Sequence, residues 1–115
     1  MTDKVVVLVT CGKKKEAEGI SATVVEKRLA ACVNLVAGIR SLYRWEGKIH
    51  NDREYLLIIK TTRERFAALR KEIARLHSYQ VPEIICLPIV EGAETYLNWI
   101  EKSVRPPRER GRGRR

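Results

Sequence analysis

From Val33 to Glu46 the chain alternates apolar and polar side chains, the two-residue period of a β-strand. Val33, Leu35, Ala37, Ile39, Tyr43 and Trp45 fall on one side, and Asn34, Arg40, Arg44 and Glu46 on the other. Fully extended, this segment would run roughly 46 Å, well past the ~17–20 Å of an ordinary strand. Gly38 marks a bulge or bend partway along. Turn residues at Gly47 and at Asn51-Asp52 return the chain into a second strand over residues 53–61. A hairpin this long overhangs its own domain and exposes unpaired edges and aromatic rings. A second copy of the chain is the economical cover.

The remaining elements follow from the same kind of pattern. Residues 4–10 (KVVVLVT) are a β-branched run suited to a central strand. Cys11-Gly12 ends it, and Ala17, Ile20, Val24 and Ala31 then trace one face of a helix. Thr61 with Glu64 has the form of a capping box ahead of Phe66, Leu69, Ile73 and Leu76 at helical spacing. Pro82 precedes a fourth strand over residues 83–90, in which Pro88 calls for an edge position. A final helix over residues 93–102 carries Tyr96, Leu97 and Ile100. The order βαββαβ plus a C-terminal helix predicts an α+β, ferredoxin-like split βαβ fold with a long hairpin between its second and third strands.

With 115 residues the chain is long enough for one domain with its own core. The formal charge of +9 is unevenly placed. Residues 103–115 hold six Arg and one Glu, a net +5, which leaves 17 basic and 13 acidic groups, a net +4, in residues 1–102. We expect a folded domain over 1–102 and a disordered Arg-rich tail over 103–115. Any nucleic-acid contact would come from that tail. Cys11, Cys32 and Cys86 are an odd number with no paired spacing, and no apolar stretch suits a signal or a membrane span, so a reducing cytoplasmic location is expected.

Few side chains suggest chemistry. Cys32 and Cys86, set among apolar neighbours, read as packing residues. Cys11 lies beside a helix start and the Lys13–Lys15 run, a setting that favours thiolate. His77 closes the second helical pattern, either meeting the last helical carbonyls or serving as a metal ligand, while His50 falls in the hairpin turn. A Cys/His pair points first to copper among divalent metals, bound weakly. Trp45, Glu54, Lys60 and Tyr79 are candidates to line a cleft, where Lys60 would hold a small anionic ligand. No HExxH, Walker or GxGxxG pattern is present, and no nucleophile stands paired with a base, so an enzyme is the least supported class.

Five spaced segments carry a family resemblance: LAACVN (29–34), the SxYxWxG pattern of Ser41, Tyr43, Trp45 and Gly47, IKTT (59–62), the HxYxxPE pattern of His77, Tyr79, Pro82 and Glu83, and Tyr96, Leu97, Trp99 and Ile100. Together they resemble the CutA-type divalent-cation tolerance proteins, relatives in fold of the PII signalling proteins. The resemblance implies a homotrimer whose long hairpins clasp neighbouring subunits, with inter-subunit clefts like those where PII proteins take effectors. It also implies a non-enzymatic role in divalent metal (copper) tolerance or response, with Cys11 and His77 as the available metal ligands. The alternative it leaves is a small-ligand sensor or adaptor working through the cleft. The chain departs from the family pattern at Val9, Leu76 and Ser78, where some relatives place further Cys, His or Pro residues.

Overall fold

The computed structural model describes residues 2–106; residues 107–115 of the expected tail lie outside them. The elements are β1 (Lys4–Cys11), α1 (Lys14–Glu26), β2 (Cys32–Trp45), β3 (Lys48–Thr62), a 3-10 turn (Arg63–Arg65), α2 (Phe66–Leu76), β4 (Ile84–Pro88) and α3 (Glu94–Val104). The four strands form one sheet in the order β2-β3-β1-β4, antiparallel at every pairing. This is the ferredoxin-like topology expected from the sequence, and Pro88 sits on an edge strand where no ladder donor is missed.

One face of the sheet carries the core. Val5, Val7, Val9 and Cys11 of β1 and Leu57 and Ile59 of β3 are essentially inaccessible, packed against Ala17, Ile20 and Val24 of α1 and Leu69 and Ile73 of α2. Each such side chain contributes about 1.5–3 kcal/mol by leaving water. Thr61 extends this face and satisfies its hydroxyl by donating to the Leu29 carbonyl at 2.7 Å. The expected capping box at Thr61 therefore gives way to Thr62, whose hydroxyl accepts from the Arg65 amide at 3.3 Å. The other face is covered only at one end, by α3, whose Ile100 and Val104 are buried and whose Glu101 pairs with Lys4 at 3.1 Å. Burial of Val104 draws α3 two residues beyond the expected domain boundary at 102. The first helix is shorter than its pattern suggested. It stops at Glu26, and Arg28 takes φ 59°, so Ala31 belongs to the connection.

The hairpin differs from expectation in two ways. Its turn is the pair Glu46-Gly47, both at positive φ (51° and 78°), the two-residue turn that suits the twist of paired strands. Asn51 and Asp52 lie inside β3, which starts at Lys48 and so puts His50 in the ladder opposite Tyr43, its ring stacked 5.2 Å away. Second, the pairing slips between Val36 and Ile39, where Gly38 (φ 75°) adds one residue to β2. Val36 opposes Leu56 and Ile39 opposes Glu54, so the alternation reverses at the bulge. Val33 and Leu35 face the helices. Ile39, Tyr43 and Trp45, expected beside them, lie on the opposite face with Glu54.

Gly38 has no atom within 4 Å of where a side chain would start, so only its backbone demands glycine. Gly38→Val is expected to lower stability by about 1–2 kcal/mol, read by urea unfolding, because a β-branched residue resists positive φ. An unchanged midpoint would mean that the bulge can move along the strand.

Candidate functional site

Two groups of side chains meet where the sheet hands over to the overhanging hairpin. The first joins the end of β1, the start of α1 and the segment after α2. Donor atoms of Cys11, Glu16 and His77 lie within 4.8 Å of one another. His77 follows the last residue of α2, but its ring turns away from the helical carbonyls. Its Nε2 lies 2.8 Å from the Thr10 carbonyl, which can only accept, so Nε2 carries the proton. Nδ1 accepts from the Tyr79 amide at 3.1 Å. Glu16 Oε2 stands 3.1 Å from the same Nδ1 and accepts from the Ser78 amide, also at 3.1 Å. Burial works against the Glu16 charge, yet the hydrogen bonds from Ser78, helped by His77 and Lys13, outweigh it and hold the carboxyl below its ordinary range. Sequence reasoning passed over Glu16; its place one turn into the helix that Cys11 precedes was the available signal.

Cys11 reverses its expected character. It is fully buried in the core, and burial, with Glu16 and Glu54 nearby, pushes its thiol up to about 12. The helix start and its lysines do not prevail, because Lys13, Lys14 and Lys15 point into solvent while the two carboxylates lie inside. The other cysteines also depart from the packing role expected of them: Cys32 is half-buried near Tyr96, and Cys86 is exposed on the edge strand. As a metal centre the trio has suitable donors, thiol, imidazole and carboxylate. A divalent ion there would have to expel the Cys11 proton and take Nδ1 from the Tyr79 amide, both of which cost affinity.

The second group faces a cavity of about 730 Å³ between the outer half of the hairpin and residues 78–83. Its walls include Tyr43, Trp45, Glu54, Tyr79 and Glu83. Three of the four residues expected in a cleft are therefore brought together. The fourth, Lys60, lies on the same face of β3 but six residues away, with its ammonium on Asn34 Oδ1 and outside the cavity. Glu54 is 6 % exposed and accepts from the Tyr79 hydroxyl at 2.6 Å. That bond fixes the ring over Gly12, where a side chain would begin 2.7 Å from the Tyr79 oxygen. Burial and the Glu54 charge push the Glu83 carboxyl above its ordinary range.

An α+β ferredoxin-like domain with an overlong hairpin and a pocket at its root is the class this geometry defines. The sequence matches the family described as CutA1 divalent ion tolerance protein over residues 5–103, and the chain belongs to that family. It is 47% identical over 98 residues to the divalent-cation tolerance protein CutA of Thermus thermophilus, covering 85% of this chain and 95% of that one. It is 47% identical over 94 residues to the human protein CutA, but spans only 52% of that longer protein while 82% of this chain is matched. Among solved structures, the T. thermophilus protein superposes with a TM-score of 0.85 at 46% identity, covering 87% of this chain and 97% of that one. CutA from Xylella fastidiosa gives 0.88 at 38% identity, covering 90% and 100%.

Because the folded state holds the Glu16 carboxyl below its ordinary range, the stability it lends is present near neutrality and lost as pH falls. Acid titration followed by circular dichroism is expected to show stability declining below about pH 4.5, with a shallower decline in Glu16→Gln. Equal slopes in the two proteins would remove Glu16 from the interaction.

Proposed function

We propose that this chain is a non-enzymatic, homotrimeric protein of divalent-ion tolerance, resident in the cytoplasm, that binds a soft divalent metal such as copper weakly through Cys11 and His77, with Glu16 as third donor. The grouping of these three donors within 4.8 Å carries the metal part of this reading. The names of the relatives support the general role and mention no reaction. Copper is favoured over harder ions because a thiol and an imidazole are soft or intermediate donors. Three free cysteines suit a reducing compartment, and no helix among the described residues is long and apolar enough to cross a membrane. Relatives carry different location labels, chloroplastic for the Arabidopsis thaliana protein and periplasmic for the Archaeoglobus fulgidus structure, so fractionation of the source cells decides the compartment.

Assembly is supported by the face of the sheet that α3 leaves open. Val36 of β2 and Ile85 and Leu87 of β4 are each about two-fifths exposed there, alongside half-buried Leu8 and Leu56. An apolar sheet face of this kind calls for a cover. The hairpin arm, which extends the described chain to 60 Å in its longest dimension, is shaped to reach a neighbour. Sedimentation equilibrium is expected to give three times the 13.2 kDa chain mass. A 13.2 kDa species at micromolar concentration would rule the assembly out.

Copper binding is expected to be weak, and to fall at least about ten-fold in Cys11→Ser/His77→Gln, since two of three donors are gone. Competition against a chelator of known affinity measures it. Unchanged affinity in the double variant would place any copper elsewhere.

The second reading, a small-ligand sensor or adaptor, is favoured by the cavity itself, whose volume is in the range of ordinary small-molecule sites. A nucleic-acid role for the Arg-rich tail falls on residues outside the described ones, and RNA retention by the chain truncated at residue 106 would test it.

A further inference from the structure

The cavity at the root of the hairpin has a sign of charge opposite to the one the sequence suggested. Glu54 and Glu83 line it, and the single basic residue among its walls is Arg40. Arg40 stands opposite Arg53 in the ladder, one step from the Ile39–Glu54 pair, so its guanidinium belongs to the other face of the hairpin. There its Nε donates to Asn51 at 3.1 Å. Asp52 pairs with Ser41 and so shares the Glu54 face, where it accepts from the Tyr43 hydroxyl. Lys60, the expected anion-holding group, is engaged with Asn34 beyond the cavity.

Glu54 is the decisive residue. At 6 % exposure it is nearly withdrawn from water, yet the Tyr79 hydroxyl is its one hydrogen-bond partner among the described residues. Its second oxygen has none, and no cationic side chain of the described residues pairs with it. A buried carboxylate in that condition is costly unless a positive group arrives to meet it. Its field already reaches its neighbours, contributing to the upward displacement of the Glu83, Cys11 and Tyr79 ionisations. The remaining wall is aromatic. Tyr43, Trp45 and Tyr79 are each about two-fifths exposed, so part of each ring stays open to an occupant. Ring faces attract cations with low hydration cost, organic ammonium and guanidinium groups above all. They offer little to a small hydrated metal ion and nothing to an anion.

We propose that this cavity binds a small organic cation, an alkylammonium or guanidinium compound, with its charge between Glu54 and Glu83 and its carbon skeleton against Trp45, Tyr43 and Tyr79. The proposal rests on the small-ligand reading of the cavity and specifies the ligand class for it. The Tyr79 hydroxyl then acts as a positioning group, holding Glu54 in place for the incoming cation.

The test uses the full chain, titrated with spermidine and with agmatine, and separately with citrate and with magnesium chloride. Amide NMR shifts report where each probe binds, and calorimetry reports affinity. The expected result is amine binding with shifts confined to residues 39–46, 52–55 and 78–83. It is expected to weaken about ten-fold in Glu83→Gln and to weaken in Trp45→Leu while both variants keep the parent melting temperature within a few degrees. If Glu83→Gln fails to fold, Glu83→Asp and the salt dependence of amine binding in the parent chain replace it, and salt-insensitive binding overturns the proposal. Citrate shifting the same residues with no response to the amines overturns the proposal and leaves the small-ligand reading standing. Magnesium alone shifting them overturns it in favour of an inorganic site. No response to any probe overturns both. Amine binding that ignores the Glu83 substitution, or shifts lying elsewhere, overturns the placement. Loss of the oligomer in Lys60→Met together with no amine binding would mean that a neighbouring copy's lysine already neutralises Glu54, and would overturn it as well.

Discussion

One extra residue in β2 decides what the outer half of the hairpin presents. Before Gly38 the odd-numbered residues of that strand face the helices, and after it they face the other way. Without the slip, Tyr43 and Trp45 would continue the face of Val33 and Leu35, and Arg40 and Arg44 would take their places beside Glu54. The cavity would then have a basic wall and an acidic floor, a self-neutralising surface with no room for a charged ligand. The bulge instead places two aromatic rings beside a buried carboxylate and sends the arginines to the far side. A positive-φ glycine is the cheapest device for that reversal, since it inserts a residue without a side chain to accommodate.

The second constraint is the tie through His77 and Tyr79. Three residues link the end of β1, the first turn of α1 and the middle of β3 through hydrogen bonds to both imidazole nitrogens, to Glu16 and to Glu54. Gly12 makes it possible by leaving space for the Tyr79 hydroxyl. The tie explains how two carboxylates persist at low exposure near a protonated thiol. Glu16 is stabilised by amide and hydroxyl donors, and Glu54 by a single phenol, which leaves Glu54 the less satisfied of the two. An acid so weakly compensated belongs to a site more readily than to a scaffold, because scaffolding is better served by an apolar side chain of the same volume.

The sequence announced the topology because strand and helix periods are local properties. The β-branched run of β1, the helical spacing of Phe66, Leu69, Ile73 and Leu76, and proline at an edge each act within a few residues. The family segments at 29–34, 41–47, 59–62 and 77–83 followed the same elements, and the match over residues 5–103 bears that resemblance out. What local patterns could not supply was relative placement. The reversal at Gly38 depends on the β3 register, so a strict alternation misassigned Tyr43 and Trp45. The protonation of Cys11 depends on Glu16 and Glu54, five and forty-three positions away, and neighbouring lysines suggested the opposite. Lys60 and Glu54 share a face of one strand, but a strand rises about 3.3 Å per residue, so six positions separate them by about 20 Å.

The two groups at the sheet end are mechanically one unit, which bears on how an ion-tolerance protein of this family would treat a metal. The Tyr79 amide caps His77 Nδ1 and the Tyr79 hydroxyl caps Glu54, so one residue satisfies an acceptor in each group. A metal entering at Cys11, Glu16 and His77 takes Nδ1 from that amide and leaves an unpaired backbone donor beside Gly12. The Tyr79 ring, in contact with the His77 ring at 4.7 Å, cannot follow the amide without pulling on Glu54. Metal occupancy and a well-ordered cavity therefore oppose each other through a single side chain. Weak metal affinity follows from this opposition as much as from the buried thiol, since the ion must work against the hydrogen bonds that shape the cavity.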